Sequence, residues 1–154
     1  MHIRSYQPSD TAEIARLFHD TIHQINIRDY TPEQVEAWAP AEVDEARWAQ
    51  TLGSRLTFVA VEGGRIVGFG ELEADGHINR FYTHALHQGQ GVGTALLGAI
   101  EDKARQLGLS RLFTEASITA RPSFARRGFT VLREQEVVCR GVRFVNYRME
   151  KTLA

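Results

Sequence analysis

The chain has 154 residues, of which 43% are hydrophobic and 24% charged, and its 18 basic and 19 acidic residues give a formal net charge of −1. This balance is typical of one globular domain, and it lacks the basic surplus that non-specific nucleic-acid binding requires. The single cysteine excludes an internal disulfide, and no apolar run approaches the ~20 residues of a membrane span. We therefore expect one cytoplasmic domain over residues 1–154, with no nucleic acid and no membrane as partner.

The first third of the chain predicts a short strand followed by helices. The strand is expected at residues 3–6 and the helices near 10–25, 32–39 and 44–52. Asp10 with Glu13 resembles a capping box at the start of the first helix. Thr31, Pro32 and Gln34 form a sharper start signal for the second helix, because they supply the N-cap, the first helical residue and the partner that closes the box.

The hydrophobic pattern then changes from helical to alternating. The expected elements are strands at 56–61, 66–72 and 77–83, a helix at 92–107, a strand at 111–116, a short helix at 119–127, and strands at 130–138 and 142–149. Gly63-Gly64 and Arg140-Gly141 suit hairpin turns. The helical crossover from strand 77–83 to strand 111–116 implies one parallel pair within a mostly antiparallel mixed sheet, and hence an α+β fold.

A glycine-rich turn precedes the amphipathic helix at 92–107. It consists of Gln88, Gly89, Gln90, Gly91, Val92, Gly93 and Thr94. Glycines at alternate positions leave backbone N–H groups uncovered where a helix begins, so the turn offers donors and the positive end of a helix dipole to a phosphate-sized anion. A bare turn and a dinucleotide fold are the alternatives, but the latter places its turn after the first strand of a repeated βαβ series.

Two motifs resemble those of the GNAT superfamily of N-acetyltransferases. Gln88-x-x-Gly91-x-Gly93 is similar to the acyl-CoA pyrophosphate signature of that family. About 35 residues on, Ser117-x-x-Ala120-x-x-x-Phe124-x-x-x-Gly128-Phe129 is similar to its Asn-x-x-Ala-x-x-x-Tyr-x-x-x-Gly-Phe segment. The order of predicted elements matches the family along nearly the whole chain. The fold expected from this resemblance is a mostly antiparallel mixed sheet, splayed at its parallel pair around an acyl-CoA cleft and flanked by helices.

The resemblance implies that acetyl-CoA is the cosubstrate and that its acetyl group passes directly to a primary amine of a small molecule or peptide in a ternary complex. Backbone groups of Phe81, Tyr82 and Thr83 would pair with the pantetheine arm like an added strand. The pyrophosphate would lie on the N–H groups from Gly89 to Thr94, with Gln88 completing the signature. Ser117 stands where the family has a cofactor-contacting Asn. A homodimer is compatible with the oligomeric state that the resemblance to this family implies.

The sequence offers several candidates for the catalytic acid and base. Phe124 stands where the family often has a tyrosine that protonates the leaving thiolate, so Ser123, Tyr82, Tyr147 and bulk water are alternatives for the acid. The candidates for the base that an ammonium acceptor requires are Glu71, Glu73, His77, His84 and Glu115. Glu71 is the first choice, because a carboxylate in an otherwise apolar strand is unusual and burial would raise its pKa.

Rival interpretations follow from the same residues. A non-catalytic acyl-CoA-binding or regulatory module on this fold would accommodate Phe124, and a dinucleotide-binding protein is the third alternative. Trp38 and Trp48 either line an acceptor pocket or belong to a helical core. An acidic cluster around the second and third helices either favours a cationic acceptor or is a solvated face; it comprises Glu33, Glu36, Glu42, Asp44 and Glu45. The histidines have no nearby cysteine, and we predict no metal site.

Overall fold

The computed structural model describes residues 1–153; Ala154, the last residue of the predicted domain 1–154, lies outside them. The strands are β1 (His2–Ser5), β2 (Leu56–Glu62), β3 (Arg65–Leu72), β4 (Ile78–Thr83), β5 (Arg111–Ser117), β6 (Thr130–Cys139) and β7 (Val142–Thr152). The helices are α1 (Thr11–Gln24), α2 (Pro32–Trp38), α3 (Glu45–Gly53), α4 (Val92–Gln106) and α5 (Arg121–Arg126). Short 3₁₀ turns lie at Pro8–Asp10, Asn26–Arg28 and Ala85–His87.

The capping box at α2 confirms a prediction made from local spacing. The Gln34 backbone N–H donates to Oγ1 of Thr31 at 3.1 Å, and the Thr31 N–H donates to Oε1 of Gln34 at 2.8 Å. The hairpin turn is confirmed as well, since Gly63 and Gly64 have φ angles of 58° and 76°. Such left-handed angles at both central residues are what a type I′ hairpin needs.

The predicted box at Asp10 and Glu13 is wrong. The Asp10 carboxylate accepts from the Gln7 backbone N–H at 2.8 Å and pairs with the guanidinium of Arg4. Glu13 accepts instead from the backbone N–H of Ile66, at 2.6 Å, and so ties α1 to the start of β3. Asp10 and Glu13 are residue types that form capping boxes, but the backbone N–H of Ile66, which is distant in sequence, binds the Glu13 carboxylate instead.

The strands form two antiparallel sheets, in the orders β1-β2-β3-β4 and β5-β7-β6. The expected parallel pair, β4 with β5, meets at a single bridge between His77 and Phe113. Thr114 Oγ1 adds a hydrogen bond to the carbonyl oxygen of Ile78, at 2.9 Å. Beyond this contact the two strands diverge, so the predicted splay is confirmed and the predicted single sheet is divided in two.

Helices cover both faces of the strands. On one face α4 contributes fully buried Leu96 and Ile100, and α5 contributes Phe124. On the other face α1 contributes Ile14 and Ile22, which pack with α2, α3 and the strands. Burial of such large apolar side chains is the main source of stability, at roughly 1.5–3 kcal/mol each. The divergence of β4 and β5 therefore opens a cleft between two well-packed layers.

Candidate active site

A cleft of about 680 Å³ occupies the gap between the diverging strands. At one end its wall is the glycine-rich turn with the start of α4 and the residues of α5. At the other end its wall is formed by α1, the segment before α2, and the hairpin of β6 and β7. The volume lies in the range of small-molecule and cofactor sites. One cleft thus joins the glycine-rich turn to a second group of lining residues.

The glycine turn has the geometry of an anion cradle. Gly89 and Gly91 have φ angles of 72° and 83°, and a Cβ placed on either would have no heavy atom within 4 Å. Gly91 is the N-cap of α4 and supplies no side-chain cap, so the first N–H groups of this 15-residue helix lack a side-chain partner there. Orphan N–H groups and the positive end of a helix dipole together favour a phosphate group.

Arg127 adds a positive charge to this end of the cleft. Its Nε donates to Oγ1 of Thr94 at 3.2 Å, and its Nη1 donates to both oxygens of Ser123. Burial, with the nearby charge of Arg126, lowers the pKa of Arg127, but a guanidinium still stays charged. Both arginines line the cleft, so two positive charges lie on its wall at the end of α5.

The two glutamines of the glycine-rich turn have different positions relative to the cleft. The Gln88 side chain turns back along the chain, and its Nε2 donates to the carbonyl oxygen of Thr83 at 2.8 Å. Thr21 Oγ1 donates to the same oxygen, at 3.0 Å. Gln88 therefore fixes the end of β4 against the turn, while Gln90 does not lie on the cleft wall.

Ser117 lies on the cleft wall at the end of β5. Its Oγ accepts from the Ala120 backbone N–H at 3.0 Å and faces Nδ2 of buried Asn26 at 3.5 Å. The hydroxyl thus organises the start of α5, and its own proton is left for another acceptor.

The segment of β4 predicted to hold the pantetheine lies along the cleft. Phe81, Tyr82 and Thr83 all line it, as do Val92 and Gly93 from the start of α4. The Tyr82 ring packs between Phe18 and Phe69. Desolvation raises the pKa of the Tyr82 hydroxyl, so this group keeps its proton.

The candidate residues for the catalytic acid differ in where they lie relative to the cleft. Ser123 lies on the cleft wall, whereas Tyr147 is not on it and donates to Oε1 of exposed Glu134 at 3.1 Å. Phe124 is buried, packs against Phe81 and Phe129, and presents only carbon atoms.

Glu71 lies beneath the cleft rather than on its wall. Its side chain is fully buried, and Arg80 Nε donates to its two oxygens at 3.0 and 3.1 Å. Arg55 Nη1 donates from the other side, at 3.0 Å. Two guanidinium groups therefore occupy the oxygens that a general base would need, and this geometry argues against the role expected for Glu71.

Glu115 is the single Asp or Glu on the cleft wall among residues 1–153. Its Oε1 lies 2.8 Å from Nε2 of His77, and Nδ1 of the same ring lies 3.2 Å from Oε1 of Glu73. The bond to Glu115, helped by Glu73, raises the pKa of His77 against the opposing effect of burial. His84, the remaining candidate base, is not on the wall, and its Nδ1 accepts from the Leu86 N–H at 3.0 Å.

These charges form one alternating chain beneath the cleft, because Arg55 also contacts Glu73 at 3.4 Å. The ion-pair chain runs through Glu115, His77, Glu73, Arg55, Glu71 and Arg80. Its first and last members line the cleft. The guanidinium carbon of Arg80 also lies 3.9 Å from the centroid of the Trp48 ring, which fixes Arg80 in place.

An aromatic pocket forms the end of the cleft opposite the glycine turn. It comprises Phe18, Tyr30, Trp38, Tyr82 and Phe144. Tyr30 packs edge-on against Trp38, with ring centroids 5.3 Å apart, and Trp38 lies 5.9 Å from Phe144. Of the two alternatives left open for the tryptophans, Trp38 lines the cleft and Trp48 packs against the core.

Three residues of this end were missed by sequence reasoning: Tyr30, Phe144 and Asn146. The Tyr30 hydroxyl donates to the Val145 carbonyl oxygen at 2.8 Å and accepts from the Ile118 N–H at 2.9 Å. The alternation of Phe144 and Asn146 in a strand was a weak signal that they share a face. Nothing local in the sequence indicated that this face meets α2.

Within residues 1–153 there is no group of three or more residues placed to hold a metal ion. No helix in the same part of the chain combines the length and the apolar character needed to cross a bilayer.

Comparisons with known proteins agree with this geometry. Residues 26–151 match the family model described as "Acetyltransferase (GNAT) domain". An uncharacterised N-acetyltransferase of Escherichia coli K12, YafP, is 33% identical over 149 residues, which are 97% of this chain and 94% of YafP. A GCN5-related N-acetyltransferase structure from Rhodopseudomonas palustris superposes with a TM-score of 0.95 at 38% identity, covering 99% of this chain and 95% of that one.

A more distant structure carries a ligand. YncA of Salmonella typhimurium, solved with acetyl-CoA, has a TM-score of 0.76 at 20% identity and covers 100% of this chain and 94% of its own. At that identity the likeness shows a shared fold.

The chain belongs to the GNAT acetyltransferase family, and it is an acyltransferase. The glycine turn and the Gly-Phe segment predict this family, and both the fold and the comparisons confirm it. Membership of this family also excludes the alternative that the chain is a dinucleotide-binding protein.

Proposed function

We propose that the protein transfers an acetyl group from acetyl-CoA to a primary amine by direct attack in a ternary complex. The observation that carries this proposal is one continuous cleft that joins an anion cradle to an aromatic pocket. Acetyl-CoA supplies an activated thioester; the nitrogen of the acceptor forms the new C–N bond, the C–S bond breaks, and coenzyme A leaves as the thiol.

The cradle residues hold the charged end of the cosubstrate. N–H groups between Gly89 and Thr94 bind the pyrophosphate, and the guanidinium of Arg127 neutralises part of its charge. The free backbone edge of β4, from Phe81 to Thr83, pairs with the pantetheine amides as an added strand. Ser117 contributes a hydroxyl donor at the end of this path.

Glu115 replaces Glu71 as the proposed general base. Glu115 faces the cleft, whereas Glu71 is buried and engaged by Arg55 and Arg80. In this proposal Glu115 takes the proton that leaves the nitrogen, and His77 positions the carboxylate through its bond at 2.8 Å. Glu71 then has a structural role.

In this proposal the thiolate takes its proton from solvent. A phenol is already a weaker acid than a thiol, with unperturbed pKa values of about 10 and about 8.5, burial weakens Tyr82 further, and an aliphatic hydroxyl such as that of Ser123 is a weaker acid still. Tyr82 and Ser123 therefore act as hydrogen-bond donors, Tyr82 to the developing oxyanion and Ser123, whose oxygen accepts from Arg127, to the leaving thiolate.

A thiol-release assay with acetyl-CoA and a panel of amines tests the proposal. Glu115→Gln is expected to lower kcat by about 10²-fold with coenzyme A affinity unchanged, because a positioned base contributes on this scale. Glu71→Gln is the matched comparison, and any loss of turnover in this variant is expected to be proportional to its loss of folded protein. Tight coenzyme A binding without thiol release for any amine would favour the non-catalytic acyl-CoA-binding module instead.

A further inference from the structure

The aromatic pocket carries information about the acceptor. Its five rings leave three neutral polar side chains around them on the cleft wall, those of Thr21, Asn26 and Asn146. Two of the three already have partners: Thr21 Oγ1 donates to Thr83, and Asn26 faces Ser117. The pocket thus offers a flat apolar enclosure and very few hydrogen-bonding groups, which is the arrangement that selects a compact apolar ligand.

The cleft wall offers an ammonium ion no free counter-charge. Arg126 and Arg127 belong to the glycine-turn end, Arg80 is a further positive charge on the wall, and Glu115 is the one carboxylate there among the described residues. Glu115 is itself engaged by His77, whose pKa is raised. The acidic cluster around α2 and α3 contributes no residue to the wall, so it gives a cationic acceptor no counter-charge.

Asn146 supplies an unused acceptor beside the aromatic pocket. Its Oδ1 is buried and has no hydrogen-bond partner within residues 1–153. On β7 it lies two residues from Phe144, hence on the same face, and it is paired in register with Ser117. It therefore stands between the aromatic pocket and the cosubstrate path, and a buried carbonyl oxygen left unpaired there is destabilising unless a ligand N–H reaches it.

We infer that the acceptor is a primary arylamine, whose amino group is attached directly to an aromatic ring and is uncharged near neutral pH. This inference rests on the proposed function. The ring lies in the aromatic pocket, and one N–H of the amine donates to Oδ1 of Asn146. Because delocalisation into the ring keeps the nitrogen neutral, the amine needs no counter-charge and no deprotonation before attack. One proton leaves the nitrogen after the C–N bond forms, and the thiol leaves with one proton, so the balance is an amide plus coenzyme A.

Aniline and cyclohexylamine form a matched pair for the test, since they have similar size but only cyclohexylamine is charged at pH 7. We expect kcat/KM with acetyl-CoA to be at least about 100-fold higher for aniline than for cyclohexylamine or spermidine. Faster turnover of either charged amine would overturn the inference while leaving the proposed function intact. Absence of turnover with every amine would overturn both the inference and the proposed function. Saturation-transfer NMR with the coenzyme A-loaded protein adds a binding readout: aniline is expected to bind and cyclohexylammonium is not.

Two variants test the residues that carry the inference. Asn146→Ala is expected to lower kcat/KM for aniline about tenfold, the order expected for one lost buried hydrogen bond. Asn146→Asp places a carboxylate in the pocket, so it should shift the aniline-to-cyclohexylamine ratio toward the charged amine. Phe144→Ala is expected to raise KM for aniline more than it lowers kcat, because it removes a wall of the ring site. An unchanged ratio in Asn146→Asp, with the variant folded and binding coenzyme A, contradicts the inference.

Discussion

A Cβ atom on residue 93 would lie 2.7 Å from Nη2 of Arg127, so glycine at this position lets the guanidinium rest against the first turn of α4. The contact joins the two sequence motifs, since one residue belongs to the glycine turn and the other closes α5. It places a fixed positive charge beside the free N–H groups of the helix. The end of the cleft proposed to hold the phosphates is therefore built by two segments more than 30 residues apart.

Arg127→Ala is expected to weaken coenzyme A binding about 10- to 100-fold, because a charge-assisted hydrogen bond to a phosphate contributes about 1.5–3 kcal/mol. Isothermal titration calorimetry at two salt concentrations measures the effect, and the salt dependence should become shallower in the variant. Arg105→Ala, at the opposite end of α4, is the matched control and should bind normally. Equal affinity of the two variants would place the phosphates elsewhere.

Gly91→Asp and Gly91→Asn separate charge from backbone strain. Both side chains tolerate the left-handed φ of 83° better than most residues, and they have nearly the same size. The carboxylate repels a diphosphate, whereas the amide does not, so coenzyme A affinity should fall at least about 100-fold further in the Asp variant. Calorimetric titration of both folded variants is the measurement, and matched affinities would refute the location of the anion cradle.

Glu71→Gln is expected to destabilise the fold. Removing one member of a buried ion pair leaves its partners uncompensated, which costs about 3 kcal/mol. Urea unfolding should show a lower midpoint with an unchanged slope. Glu134→Gln removes an exposed carboxylate bonded to Tyr147 and should change the free energy of unfolding by no more than about 1 kcal/mol. A normal midpoint in Glu71→Gln, combined with lost turnover, would return Glu71 to the catalytic role.

The ion-pair chain predicts a pH dependence of stability. Because the pKa of His77 is raised in the folded state, its contribution is fully present below the unfolded-state pKa of about 6.5 and disappears as pH rises through the folded-state value. The difference in unfolding free energy between the wild type and His77→Gln should therefore be larger at pH 6 than at pH 9. Urea titrations at the two pH values measure it. A difference that grows with pH would mean that His77 is held neutral.

Local signals were enough to predict much of this molecule. The Thr31–Gln34 box, the hairpin glycines and the glycine turn depend on residues within a few positions of one another, so spacing alone identified them. The splay of β4 and β5 followed from the resemblance to the family and is confirmed by the two-sheet topology.

The parts that could not be predicted depend on contacts between distant segments. Glu71 meets Arg80 and Arg55, which are 9 and 16 residues away, only because the register of β2, β3 and β4 brings them to one face. Tyr30 reaches the backbone of β7 across 115 positions, and this contact closes the aromatic pocket. The position of Glu71 in an apolar strand indicates a special role for its carboxylate. Whether that role is a catalytic base or an ion pair depends on partners that the local sequence does not identify.

The narrow junction between β4 and β5 has a mechanical consequence. Because β4 and β5 meet there through one bridge, the Thr114 hydroxyl and the contact of His77 with Glu115, a bound pantetheine would add a further connection across the gap between the two strands. Saturation with acetyl-CoA should then slow amide hydrogen exchange in both sheets together, including protons far from the ligand. The cosubstrate would be a temporary structural member of the fold as well as the donor of the group transferred.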